Sequence, residues 1–186
     1  MTKIQYHTGD LFKLMWQIKD PNSLALVTHV CNDIGGWGSG FVVAVSKNYP
    51  CNLDEPENIE FSPEHAYRKW SNGKDPQPFK LGEVQFCTAG WKKGTCLNDV
   101  DKYCEFANMV AQHQTIKYNK KPIRYAALIS CMIKVRKQIQ KMEVPVEIHA
   151  PKFGSGLSAG TWAFIEELIN ELWTDKGIPV HIYEYK

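Results

Sequence analysis

Apolar positions recur along the chain with two periods, and the period changes mark the elements. Ile4 to Thr8 alternates as a short strand and stops at Gly9-Asp10. Leu11 to Ile18 reads as a helical turn or short helix, closed by the turn Asp20-Pro21-Asn22. Leu24-Ala25-Leu26-Val27-Thr28-His29-Val30 is a nearly continuous apolar run, the mark of a strand covered on both faces. Phe41 to Asn48 predicts a helix with Phe41, Val42, Ala44 and Val45 inward, stopped by Tyr49-Pro50. Residues 51–62 are polar and Pro-bearing and read as a loop. Ser62-Pro63-Glu64 then starts a helix, with Ser as N-cap, Pro at the first helical position and an acid in the first turn. That helix carries Ala66, Tyr67 and Trp70 and ends near Asn72-Gly73.

Gly82 to Ala89 and Tyr103 to Ala111 predict two further strands. Tyr125 to Met142 gives the clearest helix: Tyr125, Leu128, Ile129, Met132, Val135, Ile139 and Met142 fall on one face, with Lys134, Lys137 and Lys141 opposite. Val144 to Ala150 follows as a strand, Thr161 to Trp173 as a helix, and Ile178 to Tyr185 as a closing strand. Strands and helices alternate without repeats or a linker. The expectation is one α/β domain over residues 1–186, with a mixed, mostly parallel central sheet covered on both faces.

Composition narrows the function classes. The 186 residues suit one domain. Lys and Arg total 22 against 20 Asp and Glu, a balance that lacks the basic footprint of a nucleic-acid binder, so no direct nucleic-acid binding is expected. No window approaches the roughly 18 apolar residues of a membrane span, and Met1 to His7 lacks the apolar core of a signal peptide. The expectation is a cytoplasmic monomer, in the host cytoplasm if virally encoded, with no membrane partner. Six cysteines stand at 31, 51, 87, 96, 104 and 131 without a CxxC pair. They read as reduced thiols rather than zinc ligands. The histidines and acids share no ligand spacing either, so neither a metal nor another cofactor is expected.

Two glycine segments carry the candidate chemistry. Gly35-Gly36-Trp37-Gly38-Ser39-Gly40 and Gly154-Ser155-Gly156-Leu157-Ser158-Ala159-Gly160 each stand between a predicted strand and a predicted helix. A peptide that approaches phosphate oxygens closely cannot carry bulky side chains, and glycine also supplies positive φ. The helix that follows directs unpaired N–H groups at the same place. In an open α/β sheet both loops would lie beyond the carboxyl ends of the strands, where ligands bind. Hydrogen bonds to a charged group contribute about 1.5–3 kcal/mol each. About four or five amides would then cover much of the ~8 kcal/mol of a micromolar complex. A P-loop is excluded because Phe41 follows Gly40 where Lys-Ser/Thr is needed. A Rossmann turn opens the first βαβ unit, whereas Gly154 to Gly160 comes late in the chain.

These motifs, in this order, resemble the macrodomain family, whose members bind ADP-ribose. Thr8-Gly9-Asp10-Leu11-Phe12 is similar to its first-strand Gly-Asp motif. His29-Val30-Cys31-Asn32 with Gly35 to Phe41 is similar to its distal-ribose loop, Ala150 to Leu157 to its second phosphate loop, and Val180-His181-Ile182-Tyr183 to its closing strand. The resemblance implies a three-layer α/β/α fold. It implies that Asp10 accepts from the adenine amino group beside the Leu11 backbone, although Asp10 also suits a helix N-cap. Tyr183 would stack on adenine or pack in the core. Asn32 would bond the distal ribose or form a turn. Gly36, Trp37, Gly38, Ser39, Gly40 and Phe41 would wrap the diphosphate from one side, and Gly154, Ser155, Gly156 and Leu157 from the other. Trp37 would cover the distal ribose or pack.

The Gly-Asp-Leu-Phe start and the Pro-x-x-Gly-x-Gly-Leu loop are similar to the branch holding ADP-ribose-1″-phosphate phosphatases and the terminal ADP-ribose protein glycohydrolase. Met109-Val110-Ala111-Gln112-His113 lacks that glycohydrolase's lysine, and Ser158 stands where its aspartate would be. Asn32 to Gly40 and Ala111-Gln112-His113 look more like the phosphatase-type members, and the resemblance implies, as the leading expectation, hydrolysis of ADP-ribose 1″-phosphate to ADP-ribose and phosphate. The alternatives are removal of ADP-ribose from protein or nucleic acid, and a non-catalytic ADP-ribose reader or sponge. Acid–base help typically adds about 10²–10⁴-fold and suits histidine. The candidates are His113 first and His149 second. His29, in its apolar strand, comes third and reads as a core residue. Asn32 would orient the ribose and the water.

Overall fold

The computed structural model describes residues 2–50, 61–92 and 100–185, and for 91–92 and 100–102 the backbone alone. Residues 51–60 of the loop expected over 51–62, with Cys51, and also Cys96, lie outside the described residues. The chain runs β1 (Gln5–Thr8), α1 (Leu11–Ile18), β2 (Leu24–Asn32), α2 (Phe41–Asn48), α3 (Pro63–Ser71), β3 (Val84–Lys92), β4 (Val100–Gln112), α4 (Tyr125–Ile139), β5 (Val146–Pro151), α5 (Trp162–Leu172) and β6 (Val180–Glu184). Six strands form one sheet in the order β1-β6-β5-β2-β4-β3. Every neighbouring pair is parallel except β3 with β4.

Strand period sorts side chains to two cores. In β2, Leu26 packs with α4 and α5, while Ala25, Val27 and Cys31 pack with α1, α2 and α3. The same division runs through β5, where Val146, Ile148 and Ala150 face the α4/α5 layer. This is the three-layer α/β/α arrangement. The capping chemistry holds as read: the Ser62 hydroxyl accepts from the His65 N–H and Pro63 sits in the first turn. Helix α4 stops at Ile139, short of Met142, with Gln140 as its C-cap. Strand β2 runs two residues past Val30 to Asn32, which places Asn32 at the strand end rather than in the loop. Among the described residues, no helix is long and apolar enough to cross a membrane.

Candidate functional site

Strands β2 and β5 are neighbours and parallel, so the loops that follow them leave the same end of the sheet side by side. They touch. A Cβ built on Gly40 would lie 3.3 Å from Leu157 Cδ1 of the second loop. Gly40 is also the N-cap of α2, at φ 74 and ψ −145, a backbone region essentially reserved for glycine. It offers no side chain to cap the first-turn amides of α2, which border the cleft uncapped. In the second loop, the Gly160 N–H donates to the Gly154 carbonyl at 2.8 Å. A Cβ at Gly160 would come within 2.4 Å of that oxygen, so the loop closes only with glycine there.

Two cavities open along this junction. The first, about 600 Å³, is lined by Asn32, Gly36, Trp37, Gly38 and Ser39 on one side and Gly154, Gly156 and Leu157 on the other. The second, about 570 Å³, is lined by Asp10, Leu11, Tyr183 and Tyr185. Gly40, Phe41, Pro151 and Lys152 line both, so the cavities are two lobes of one cleft with the loops at its waist. Of the ligand-binding residues expected from sequence, Ser155 alone lines neither lobe. Its hydroxyl donates to the Lys152 carbonyl at 2.9 Å and shapes the loop instead.

For several side chains the structure shows the structural role that the sequence left open. Asp10 caps α1, accepting from the Phe12 and Lys13 amides. Both bonds fall on Oδ1, and Asp10 lines the second lobe. The Asn32 amide donates to the Gly36 carbonyl at 2.7 Å, and its oxygen accepts from the Gly36 N–H at 2.8 Å. Asn32 thus folds the first glycine loop back on itself, and the Tyr67 hydroxyl holds its carbonyl from behind. Trp37 is buried and donates from Nε1 to the Ser46 hydroxyl at 2.8 Å, so it is a packed wall of the first lobe. Tyr183 is only 3% exposed, with its ring stacked on His7 at 5.0 Å. It forms floor rather than an open stacking platform.

The histidines separate. His29 lines the first lobe, but its Nε2 bonds Asn108 Oδ1 at 2.7 Å, and burial lowers its pKa to about 4. It is the core histidine expected. His113 lines neither lobe; it follows Gln112 and stands two residues before Thr115, both of which line the first lobe. Its Nδ1 meets Asp33 Oδ2 at 2.7 Å, while the Gln114 N–H donates to the other Asp33 oxygen. His149, expected as a second catalytic candidate, is corrected by the fold. It is fully buried and lines neither lobe, because it lies two residues back from the end of β5, beneath Tyr183, whose hydroxyl meets its Nδ1 at 2.8 Å. The absence of a metal-ligand constellation also needs correction. Strands β5 and β6 pair His149 with His181, and together with Glu147 these bring three ligating atoms within 4.8 Å. Linear spacing could not show this, because 32 residues separate the two histidines.

Three participants carry no motif of their own. Lys152 lines both lobes, its ammonium paired with the Glu184 carboxylate and 5.4 Å from the Trp162 ring. Tyr185, 84% exposed, borders the second lobe. Asp33 meets His113 across 80 positions. The four described cysteines are free thiols, and burial raises the pKa of each, as at Cys104 and Cys131, pushed up to about 12.

The chain as a whole is similar to a macrodomain protein of Streptomyces coelicolor, at 33% identity over 99% of this chain and 100% of that one, with a TM-score of 0.69. The chain belongs to the macrodomain family. This macrodomain is equally similar to a Bacteroides thetaiotaomicron protein of unknown function, at 34% identity, 98% coverage of both chains and a TM-score of 0.74. Thermosipho africanus DarTG, solved in complex with ADP-ribose, shares the fold at 17% identity. It matches over 98% of this chain and 42% of its own, with a TM-score of 0.61. Among curated proteins, an uncharacterised 17.5 kDa protein of Enterobacteria phage T4 is 22% identical over 167 residues, 90% of this chain and 88% of its own. No family model matches the chain.

Proposed function

We propose that this macrodomain, acting as one domain over residues 1–186, binds ADP-ribose along the two-lobed cleft and hydrolyses ADP-ribose 1″-phosphate to ADP-ribose and phosphate. The observation that carries the reading is the shared waist of the two lobes, where Gly40, Phe41, Pro151 and Lys152 line both. A dinucleotide-like ligand with a central diphosphate fits that shape: adenosine beside Asp10 and Tyr183, the diphosphate between the loops, the distal ribose beside Asn32. The uncapped α2 N-terminus supplies amides to the diphosphate. The likeness to Thermosipho africanus DarTG, solved in complex with ADP-ribose, supports ADP-ribose as the ligand. The reading assigns the protein to the cytoplasm, in keeping with buried free thiols.

For the hydrolysis, Asp33 accepts from the Nδ1–H of His113 and leaves Nε2 to take a proton from water at the rim of the first lobe. The water oxygen bonds to phosphorus, the P–O1″ bond breaks, and the ribose oxygen takes up a proton. Asn32 acts as a positioning residue, since its amide holds the Gly36 peptide.

A second reading, a non-catalytic reader, is favoured by one fact: the only histidine lining the first lobe among the described residues is the buried His29. Calorimetry with ADP-ribose and phosphate release from ADP-ribose 1″-phosphate separate the readings. The proposal expects micromolar binding, turnover, and a loss of turnover of about 10²-fold or more in His113→Ala with binding retained. Binding without turnover in the wild type selects the reader. Release of ADP-ribose from modified protein or nucleic acid without phosphate release selects that hydrolase. Absence of ADP-ribose binding removes all three.

A further inference from the structure

Beneath Tyr183, on the sheet face covered by α1, lies a polar cluster that the cleft does not use. Glu147 and His149 sit two apart on β5 and therefore share a face; His181 is the register partner of His149 on β6. All three are buried. Glu147 Oε2 is 3.6 Å from His149 Nε2 and 3.7 Å from His181 Nε2. Those separations are too long for hydrogen bonds. His149 Nε2 has no hydrogen-bond partner among the described residues despite its complete burial. Such an orphan costs about 1–3 kcal/mol.

The remaining polar atoms of the cluster are engaged. His149 Nδ1 meets the Tyr183 hydroxyl at 2.8 Å, and His181 Nδ1 meets His7 Nε2 at 3.0 Å. The Asp20 N–H donates to the Glu147 carboxylate. With Nδ1–H donating in each imidazole, both Nε2 lone pairs turn toward the carboxylate. Three lone-pair donors then converge on one point, each held from behind as metal ligands are.

From this geometry we infer that Glu147, His149 and His181 bind a divalent transition-metal ion of the zinc class at a site separate from the nucleotide cleft. The ligand set, two imidazole nitrogens and one carboxylate oxygen, suits zinc and not magnesium or calcium, which take oxygen ligands. Zinc–ligand distances near 2.1 Å imply a ligand–ligand edge of about 3.4 Å in a tetrahedron. The two Glu–His distances already lie within a few tenths of it. The imidazoles stack nearly parallel, 4.7 Å apart and 8° from coplanar, so ligation tilts them toward a common point. Water completes the fourth position.

The test uses the full chain after dialysis against EDTA. Zn²⁺, Co²⁺ and Mg²⁺ are titrated separately, with bound metal, melting temperature and histidine ring ¹⁵N shifts as readouts. The inference expects one Zn²⁺ retained per chain, a raised melting temperature, no response to Mg²⁺, and Zn²⁺-induced shifts at Nε2 of His149 and His181. Co²⁺ should give d–d bands without a thiolate charge-transfer band. Glu147→Gln and His181→Gln should each weaken Zn²⁺ at least tenfold. The ring shifts are read on the wild type, so they decide the matter even if both variants fail to fold. Lack of saturable binding, a thiolate band that places the ion on cysteine, unmoved Nε2 shifts, or unchanged affinity in both folded variants overturns it.

Discussion

Replacing Gly40 by alanine tests the waist of the cleft directly. Gly40 stands at φ 74 and ψ −145, and a side chain in that region costs about 1–3 kcal/mol. The new Cβ would also lie 3.3 Å from Leu157 Cδ1. Leu157 is 51% exposed and can give way by a few tenths of an ångström, so the steric part is small and the backbone part dominates. Gly40→Ala should therefore lower unfolding stability by about 1–3 kcal/mol in urea titrations. If the loop relaxes instead, it turns the α2 amides out of the cleft, and calorimetry should show ADP-ribose affinity falling about tenfold for each 1.4 kcal/mol relieved. Gly38→Ala is the control: its φ is ordinary and nothing lies within 4 Å of the added Cβ, so stability should change by no more than about 0.5 kcal/mol. The double variant Gly40→Ala/Leu157→Ala should recover almost none of the loss. Full recovery there, or a Gly40→Ala protein as stable as Gly38→Ala with unaltered affinity, would refute the backbone argument.

Two further outcomes follow from the same geometry. Asn32→Ala removes both short bonds to Gly36 and should cost about 2 kcal/mol at roughly 1 kcal/mol per bond. Asn32→Asp keeps the acceptor for the Gly36 N–H but sets a carboxylate against the Gly36 carbonyl; chemical denaturation of both should show neither as neutral. Stability of the EDTA-treated protein should fall with acid. His29, His149 and His181 are depressed by burial from near 6.5 to about 4, about 3 and about 4. The unfolded chain takes up protons below pH 6.5 that the folded chain refuses, so their contribution is complete above 6.5 and is lost as pH drops toward 4. Burial lowers the His7 pKa as well, so the slope should reach about three protons or more and lessen in His181→Gln; a flat stability between pH 6.5 and 4 contradicts this.

Much of the fold was legible because local rules and tertiary packing agree. The continuous apolar run at Leu24–Val30 lies in a central strand between two cores, and Ser62-Pro63-Glu64 caps α3 as its composition implies. The sheet order was not legible, and neither was the antiparallel β3–β4 pair, since pairing depends on contacts far apart in sequence. The glycine loops could be recognised because they combine small residues with a strand before and a helix after. The roles of single side chains were harder to read. Asp10 is both cap and cleft residue, Asn32 turns inward to its own loop, and His149 points under α1. The pairs Asp33–His113 and His149–His181 are products of register, which no local spacing encodes.

Strand β1 has one described neighbour in the sheet, and that neighbour is β6. During synthesis β1 must therefore stay unpaired until β6 has left the ribosome. The two lobes are completed at different moments: β2, β5 and their loops can dock first, while the second lobe needs both Asp10 and Tyr183, far apart in sequence. A nascent chain stalled before residue 180 would carry the first lobe without the second, so the cleft becomes whole only once β6 has emerged.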